Sequence, residues 1–449
     1  MMKSDPEFES FLRDQADLND LSRSEWQAFF LAIAGDDIAE IAEKLRANES
    51  AIRQRLSQVY KKFGVEGRGP VKLNKLQQLI RSRFREYGNR GEISQESAQP
   101  LPNLQRDRLD WGEAPDLPMF YGRTEELETL EDWVVDRKCR LVALLGLGGI
   151  GKTALARKLA GQVEGKFDRL IWRSLRNTPP PDEQLEDWLD FVCGSTLELA
   201  PDIPGKIAQL VDGLRAKRCL LVLDDFDAVL TGGSRLKPYS RGYEAYGMLL
   251  RQVAELEHQS CLLLISYEKP REVNLLERAT STVRSLPVEG LSLDAAKEIL
   301  REAQLKEEDR WEDLITMSNR NPFQLKMVAR YLQDVFLGNV TWFIQKGTWI
   351  FAESREHFDR EFEKFSELEQ KLLRYLATQP QPVSYQEVET HFKKELTSSK
   401  IIETLASLKN KFWLHISLQE DSSEPLYELP YLLKKYTLGY QNVVSSNSG

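Results

Sequence analysis

The chain has 449 residues, of which 41% are hydrophobic and 29% charged, and its formal net charge is −9. This length predicts about three domains, and the composition is typical of a globular protein. No apolar run approaches the roughly 18 residues of a membrane span, and the charged amino-terminal sequence lacks the apolar core of a signal peptide. We therefore expect a cytoplasmic protein without a membrane segment.

Charge is unevenly distributed over the first 90 residues, which we predict to form one small module. Residues 1–45 contain 4 basic and 11 acidic residues, whereas residues 46–90 contain 12 basic and 3 acidic residues. The net charge of the whole chain argues against nucleic acid, but this polarised segment favours a DNA contact through residues 46–90.

Three short helices are predicted within residues 21–63. Ser22 and Glu25 have the spacing of a capping box, and Gly35 ends the first helix. Asp36 and Asp37 open the second, and Asn48 caps the third. The third helix exposes four basic candidates for DNA binding, which are Arg53, Arg55, Lys61 and Lys62. This arrangement predicts a helix-turn-helix whose third helix could enter a major groove.

The same segment resembles the LuxR-type helix-turn-helix. The matching residues are Leu21, Ser22, Glu40, Ile41, Ala42, Leu45, Asn48, Glu49, Ile52, Arg53, Leu56 and Tyr60 to Val65. It departs from that pattern at Asp36, Asp37 and Ala47. A basic helical face can also be a solvated or protein-binding surface, so both DNA and a protein partner remain open.

Residues 91–118 are rich in Gly, Ser and Pro and are predicted to be a linker. From residue 119 to 290 strands alternate with helices, which predicts a parallel α/β sheet. The candidate strands are residues 140–145, 169–174, 219–223, 261–266 and 282–286.

Residues 146–153 follow the first of these strands and have the pattern G-x-x-x-x-G-K-T. Glycines allow successive backbone N–H groups to surround a phosphate at the positive end of the next helix. Lys152 would reach the terminal phosphates, and the Thr153 hydroxyl would bind Mg²⁺. The predicted contacts of ADP or ATP here are Gly146, Gly148, Gly149, Ile150, Gly151, Lys152, Thr153 and Ala154. The alternative is a glycine-rich turn without a ligand.

An apolar strand ending in Asp224 and Asp225 follows about 70 residues later, and P-loop NTPases hold Mg²⁺ with an aspartate of this kind. Asp224 would hold Mg²⁺ together with Thr153, and Asp225 could orient or deprotonate an attacking water. We therefore assign Asp225 and Lys152 as the catalytic candidates.

From about residue 120 to 440 the chain resembles an NB-ARC domain of the STAND class of signalling NTPases. The matching elements are Tyr121-Gly122-Arg123, the G-x-x-x-x-G-K-T loop, Leu223-Asp224-Asp225, the strand 262–266 followed by Glu268-Lys269-Pro270, and Asn321-Pro322. The resemblance implies that Tyr121, Gly122, Arg123 and Pro322 contact adenine and that ADP is held at rest. We also expect oligomerisation on activation.

Three positions depart from the family pattern. Tyr267 stands where the family has an arginine that senses the terminal phosphate, and Arg320 replaces a glycine. The late Met-His-Asp signature is missing near residues 432–436. A phenol supplies no positive charge to a transition state, so we expect weak ATPase activity with slow hydrolysis.

The rest of the chain is predicted to be helical at first and then mixed. Residues 291–355 should form a helical lid domain, residues 356–440 a winged helix, and residues 441–449 a disordered tail. The predicted architecture is thus multidomain α/β plus α. No 40–45-residue repeat is present, so we expect the sensor of such a protein to be absent, supplied by another chain, or left out of this sequence.

Three hypotheses follow. The first is a switch in which exchange of ADP for ATP controls the helix-turn-helix output, with DNA-binding transcriptional regulation as its expected form. The second is an active ATPase that remodels a partner protein. The third is an interaction scaffold with a degenerate nucleotide pocket.

Overall fold

The structure, a computed structural model, describes residues 21–33, 38–45, 49–63 and a few isolated positions in the first hundred residues. It then describes residues 108–446 apart from 118, 195, 232–237, 347–349 and 419–423. The chain divides into two compact units, Met1–Pro102 and Asn103–Gly449. Gly35, Asp36, Asp37, Asn48 and most of the predicted linker lie outside the described residues.

The first unit contains the three predicted helices. They are α1 (Arg23–Ile33), α2 (Ile38–Lys44) and α3 (Glu49–Lys62). The capping box of α1 is confirmed, because the Ser22 N–H donates to Glu25 Oε2 at 2.7 Å and the Glu25 N–H to Ser22 Oγ at 3.4 Å. The helix-turn-helix assignment of this unit stays a prediction.

A six-stranded parallel sheet forms the centre of the second unit. The strands are β1 (Leu109–Asp110), β2 (Leu141–Leu145), β3 (Arg169–Ser174), β4 (Cys219–Asp224), β5 (Cys261–Ser266) and β6 (Val283–Pro287). Their order is β1-β3-β4-β5-β2-β6. The five predicted strands are therefore confirmed to within one residue at each end.

The edge strand β1 corrects the linker prediction. Leu109 and Asp110 lie within the predicted linker 91–118 but pair in parallel with Leu170 and Ile171 of β3. The Asp110 carboxylate also accepts a 2.6 Å hydrogen bond from the Arg173 guanidinium. A two-residue strand has no periodicity to detect, so only pairing with the sheet reveals it.

Helices cover both faces of the sheet, as a parallel sheet requires. They are α4 (Thr124–Glu131), α5 (Lys152–Val163), α6 (Pro181–Cys193), α7 (Ile203–Ala216), α8 (Ala245–Glu255) and α9 (Arg271–Ala279). Every residue of β2, β4 and β5 is buried. These continuous apolar strands fix the sheet core and thereby the position of the loop that follows β2.

Helices continue after the sheet. They are α10 (Leu293–Glu302), α11 (Trp311–Met317), α12 (Pro322–Phe336), α13 (Val340–Lys346) and α14 (Ala352–Phe362). The last part contains α15 (Glu367–Thr378), β7 (Val383–Ser384), α16 (Tyr385–Phe392), α17 (Ser398–Asn410), β8 (His415–Leu418), β9 (Pro425–Glu428) and α18 (Tyr431–Ser446). One continuous apolar core contains residues both of helices α10 to α14 and of the part from α15 to α18.

The last part contains a small antiparallel sheet of order β7-β9-β8. Its assignment as a winged helix stays a prediction. The predicted disorder of residues 441–449 is wrong for residues 441–446, because α18 extends to Ser446. Buried Leu432, Leu433 and Tyr436 anchor the first turns of α18, and a nucleated helix extends at little cost. Among the described residues, no helix has both the length and the apolar character that crossing a bilayer requires.

Candidate functional site

The glycine-rich loop 146–153 connects the carboxyl end of β2 to the first residues of α5. Gly146, Gly149 and Gly151 have positive φ angles of 151°, 71° and 101°. Residues with a Cβ rarely adopt such angles, so the glycines of the motif are needed for this backbone path. Their amides precede the amino terminus of α5, whose dipole favours an anion.

Close contacts give a second reason for glycine. A Cβ at Gly146 would lie 2.7 Å from the Val288 carbonyl oxygen, and one at Gly149 would lie 2.7 Å from Phe323 Cβ. A Cβ at Gly148 would overlap the His357 ring. The loop is therefore in close contact with α12 and α14, two helices that lie far after it in the sequence.

Lys152 folds over the loop. Its ammonium donates hydrogen bonds to the carbonyls of Gly146 at 2.8 Å and Leu147 at 3.0 Å. Desolvation lowers the pKa of this ammonium, while the carboxylates of Asp227 and Glu361 act in the opposite direction. The Lys152 side chain is thus held inside the loop, where a phosphate would favour its charged form.

Thr153 and Asp224, the predicted Mg²⁺ ligands, lie together. The Thr153 hydroxyl donates to Asp224 Oδ1 at 3.3 Å, and the same oxygen accepts the Asp225 N–H at 2.8 Å. Burial, followed by repulsion from Asp225, raises the pKa of Asp224 to about 7. The Asp225 side chain has a different partner, because its Oδ2 accepts a 2.8 Å hydrogen bond from the Ser174 hydroxyl.

Asp227 is a further acid of the site, one that the sequence reasoning missed. Its Oδ1 accepts the Tyr267 N–H at 3.1 Å, and its Oδ2 accepts the Lys364 ammonium at 2.9 Å. Burial would raise the pKa of this carboxyl, but Lys364 outweighs that effect and the pKa is lowered. The signal was present in the sequence, since Asp227 lies three residues after Asp224.

The amino terminus of α12 holds the loop from one side. The Asn321 side chain caps α12 by accepting the N–H groups of Phe323 and Gln324, and its amide donates to the Gly148 carbonyl at 3.0 Å. The Phe323 N–H reaches the Gly149 carbonyl at 3.3 Å. Pro322 lies beside Gly151, with 3.8 Å between its Cγ and a Cβ built on the glycine.

Helix α14 holds the loop from another side. The Gly148 N–H donates to Glu361 Oε1 at 3.2 Å, and the Trp413 indole donates to Glu361 Oε2 at 3.1 Å. His357 Nε2 lies 3.3 Å from Glu361 Oε1. The Glu361 side chain thus joins the glycine-rich loop to the carboxyl-terminal part of the chain.

Arg123 supports the loop from behind. Its guanidinium is buried and donates to the carbonyls of Ile150 at 3.0 Å and Glu289 at 2.6 Å, and it pairs with Glu126 at 2.7 Å. Gly122, with φ of 57°, packs against Ala295 of α10. These contacts explain why this segment needs a glycine and an arginine; its predicted contact with adenine stays a prediction.

Tyr121 and Tyr267 both lie where the sheet meets the following helices. The Tyr121 hydroxyl donates to Glu302 of α10, and the Lys326 ammonium lies 5.0 Å from the centre of its ring. Tyr267 is buried, and its hydroxyl has no hydrogen-bond partner in the described part of the chain. Burial, together with Glu361, raises the pKa of the Tyr267 phenol well above its usual value.

The site residues fit a nucleoside phosphate bound with Mg²⁺. The left-handed glycines, the Lys152 ammonium and the start of α5 converge on one loop, and Thr153 and Asp224 present two oxygens 3.3 Å apart beside it. Mg²⁺ usually takes only one or two protein ligands together with phosphates and water. Accordingly, no cluster of three or more metal-binding side chains is found among the described residues.

Comparison with known proteins agrees with this geometry. Residues 140–307 match the family model of the NACHT domain. An uncharacterized WD repeat-containing protein of Nostoc sp. is 37% identical over 331 residues, which are 71% of this chain and 26% of that protein. This chain therefore spans about a quarter of the length of that relative.

Two solved structures are similar to most of this chain. A STAND protein with a tetratricopeptide repeat sensor from Pyrococcus horikoshii is 16% identical, with a TM-score of 0.38, covering 73% of this chain and 44% of that one. A Walker-type ATPase of Pyrococcus abyssi is 14% identical, with a TM-score of 0.48, covering 71% and 96%. The predicted STAND class is confirmed by the family match, and the NB-ARC subtype stays a prediction. Residues 140–307 of the chain thus match a NACHT domain, which is a P-loop NTPase domain of the STAND class.

Proposed function

We propose that this protein is a nucleotide-controlled signalling switch of the cytoplasm, held closed by ADP and opened by exchange for ATP. The observation that carries the proposal is the convergence of three parts of the chain on one loop. The single residue Gly148 contacts two of these parts. Its carbonyl accepts from Asn321 at the start of α12, and its N–H donates to Glu361 of α14. Whatever occupies the loop must therefore affect how the lid and the carboxyl-terminal part dock.

Each predicted site residue has a role in this switch. The amides of residues 146–154 and the Lys152 ammonium would bind the phosphates, and Thr153 and Asp224 would hold Mg²⁺. Mg²⁺, when bound, supplies charge neutralisation between phosphate oxygens. Asp225 could orient a water molecule. The adenine of the nucleotide would contact Tyr121, Gly122, Arg123 and Pro322.

Hydrolysis is expected to be slow because Tyr267 brings no positive charge to the terminal phosphate. Its ring is instead buried beside Glu361 and Asp227. The bound state, not turnover, would then be the signal. The N-terminal unit would be the output, with Arg53, Arg55, Lys61 and Lys62 as DNA contacts and transcriptional regulation as the result. Opening would be accompanied by oligomerisation and by contact with a sensor or effector protein.

The test is to purify the full chain without added nucleotide and identify what is released on denaturation. Co-purified ADP near one molecule per chain is the expected result. Lys152→Ala should bind ADP at least about 100-fold more weakly, because the charge inside the loop is lost. Lys158→Ala is the matched control, since Lys158 is exposed on the same helix α5. ADP binding that survives Lys152→Ala would contradict the site.

A second candidate function, an active ATPase that remodels a partner, is favoured by Arg176. Its guanidinium is 79% exposed and its Nε lies 3.4 Å from Asp225 Oδ2, so an arginine is present near the proposed water-orienting acid. Turnover well above about 1 per second would favour this function over the switch, because typical enzymes turn over near 10 per second.

A further inference from the structure

Glu361 occupies a backbone donor of the loop that a nucleotide would use. Its Oε1 accepts the Gly148 N–H at 3.2 Å, which is one of the amides of the glycine-rich loop. Its side chain is 10% exposed and is fixed at the other oxygen by the Trp413 indole at 3.1 Å. A carboxylate anchored in this way is a built-in anion at the rim of an anion site.

Glu361 contacts the glycine-rich loop at Gly148, close to the place where the Lys152 ammonium is bound. The Lys152 ammonium is bonded to the carbonyls of Gly146 and Leu147, the two residues before Gly148. In P-loops the lysine reaches the terminal phosphates, whereas the amides near the helix hold the inner ones. Glu361 therefore lies on the side of the loop where the terminal phosphate of a triphosphate would be placed.

Several carboxylates already surround the Lys152 ammonium. The carboxylates of Asp227, Glu361, Asp224 and Asp225 all act on its ammonium. Asp227 has its own partner in Lys364, and Thr153 donates to Asp224. The Glu361 carboxylate instead contacts the N–H groups of Gly148 and Trp413 and the His357 ring. Its charge therefore remains close to any added phosphate.

We propose that Glu361 is a specificity-determining residue that makes the closed conformation accept ADP and disfavour ATP. The terminal phosphate of ATP would compete with the Glu361 carboxylate for the Gly148 N–H and repel it, whereas ADP leaves this contact in place. This inference rests on the proposed nucleotide switch and names the group that distinguishes its two states.

The same contact explains how a terminal phosphate would open the protein. Trp413 is fully buried and packs against Phe358, Phe362 and Phe365, with ring centres 4.9–6.2 Å apart. Displacement of Glu361 from Gly148 shifts α14 and, through Trp413, the core of the carboxyl-terminal part. Binding of ATP and docking of α14 are thus coupled with opposite sign, and by linkage each weakens the other.

The experiment measures the affinity of the full chain, with Mg²⁺, for ADP and for a non-hydrolysable ATP analogue. Glu361→Gln keeps the size of the side chain and removes its charge. We expect the ATP analogue to bind about tenfold more tightly, within the usual range of roughly 5- to 150-fold for coupling, and ADP to change by less than about threefold. Glu363→Gln is the matched control. Glu363 is exposed and lies two residues after Glu361, and this substitution also removes one negative charge.

Glu361→Asp is the second variant, for use if the glutamine variant does not fold. It keeps the charge but is one methylene shorter, so it should lose the Gly148 contact and also bind the ATP analogue more tightly. An unchanged ratio of the two affinities in whichever variant folds would overturn the proposal. Loss of all nucleotide binding in the wild-type chain would instead refute the proposed function itself.

Discussion

Tyr267 shows how one residue changes the expected chemistry of the site. It stands at the end of β5, where the resemblance implies an arginine, and its ring is buried. Its backbone N–H is bonded to Asp227, whereas its hydroxyl has no partner among the described residues. A buried hydroxyl without a partner costs free energy, so the phenol oxygen does not stabilise the fold.

Tyr267→Phe should therefore leave stability unchanged or increase it by up to about 1 kcal/mol, a rise in Tm of about 1 °C for a chain of this length. The measurement is thermal denaturation of the full chain. Tyr246→Phe is the control, because the buried Tyr246 hydroxyl donates to the Pro179 carbonyl at 3.1 Å and its removal should lower the Tm. A fall in the Tm of the Tyr267 variant as large as that of the control would contradict the prediction.

Asp224 predicts a pH dependence of Mg²⁺ binding. Burial and the neighbouring Asp225 raise its pKa to about 7, so below pH 7 the metal-free protein carries a proton that Mg²⁺ must displace. Affinity for the Mg²⁺–ADP complex should rise with pH up to about pH 7 and level off above it, with release of one proton below. Calorimetry in two buffers of different ionisation enthalpy measures that proton.

Asp224→Asn is the control for this pH dependence, because it removes the titrating group and leaves the titration of ADP itself. The variant should bind more weakly at about pH 8, where the wild-type carboxylate is ionised, and show the shallower dependence of the nucleotide alone. A steep dependence that survives in Asp224→Asn would assign the proton to another group.

At the scale of elements, α14 and the segment after it make contacts that shape the candidate site. Glu361 reaches the loop after β2, and Lys364 reaches Asp227, which follows β4. Glu361 and Lys364 are three residues apart at the carboxyl end of α14. Their contacts reach the segments that follow two different strands, β2 and β4. They fix the orientation of α14 on the sheet more tightly than either contact could alone.

Lys364→Met should weaken this attachment by about 1 kcal/mol, because the partly buried Asp227 loses its ammonium partner. The expected loss is discounted for solvent screening, since Lys364 is 41% exposed. Amide hydrogen exchange in residues 352–365 should become faster at neutral pH. Because Lys364 lowers the pKa of Asp227, the stabilisation is present above the unfolded pKa near about 4 and lost as pH falls through the lower folded value.

The difference in exchange between the wild type and Lys364→Met should therefore disappear at strongly acidic pH. Lys371→Met is the matched control, since Lys371 pairs with Glu395 at 3.2 Å on an exposed surface and should change exchange little. Equal exchange of residues 352–365 in all three proteins at neutral pH would show that the Asp227 pair does not hold α14.

At the scale of the whole molecule, the N-terminal unit is the candidate output. Its basic helix α3 exposes Arg53 and Lys61, whereas the Lys62 ammonium pairs with Glu25 of α1 at 2.7 Å. This pairing lowers the pKa of Glu25. The four DNA candidates are therefore not equivalent, because Lys62 already neutralises a carboxylate.

Lys61→Ala should weaken binding of the full chain to duplex DNA more than Lys62→Ala does. Loss of one phosphate contact should also reduce the slope of log affinity against log salt by about 1 for Lys61. Fluorescence anisotropy between about 50 and 200 mM salt measures both quantities. Equal effects of the two substitutions would contradict this difference between the lysines. An affinity independent of salt would favour a protein partner for this surface.

The sequence by itself determined the local structure and the chemistry of the loop. The strands β2, β4 and β5 are almost continuous apolar runs, and the bounds of all five main strands could be predicted to within one residue. The glycines and Lys152 of residues 146–153 identify a phosphate-binding type of loop because few other residue types permit that backbone path. Tyr267 could be recognised as a departure because it follows a strand at a fixed position.

Only the tertiary structure decided what meets the loop. Glu361 and Gly148 are 213 residues apart, and no spacing or periodicity relates them; their contact exists because the core shared by α12, α14 and α18 places α14 over the end of β2. The pairing of β1 with β3, the Lys364–Asp227 contact and the pairing of Lys62 with Glu25 have the same origin. Contacts between residues distant in sequence follow from packing, and packing is decided by the whole chain at once.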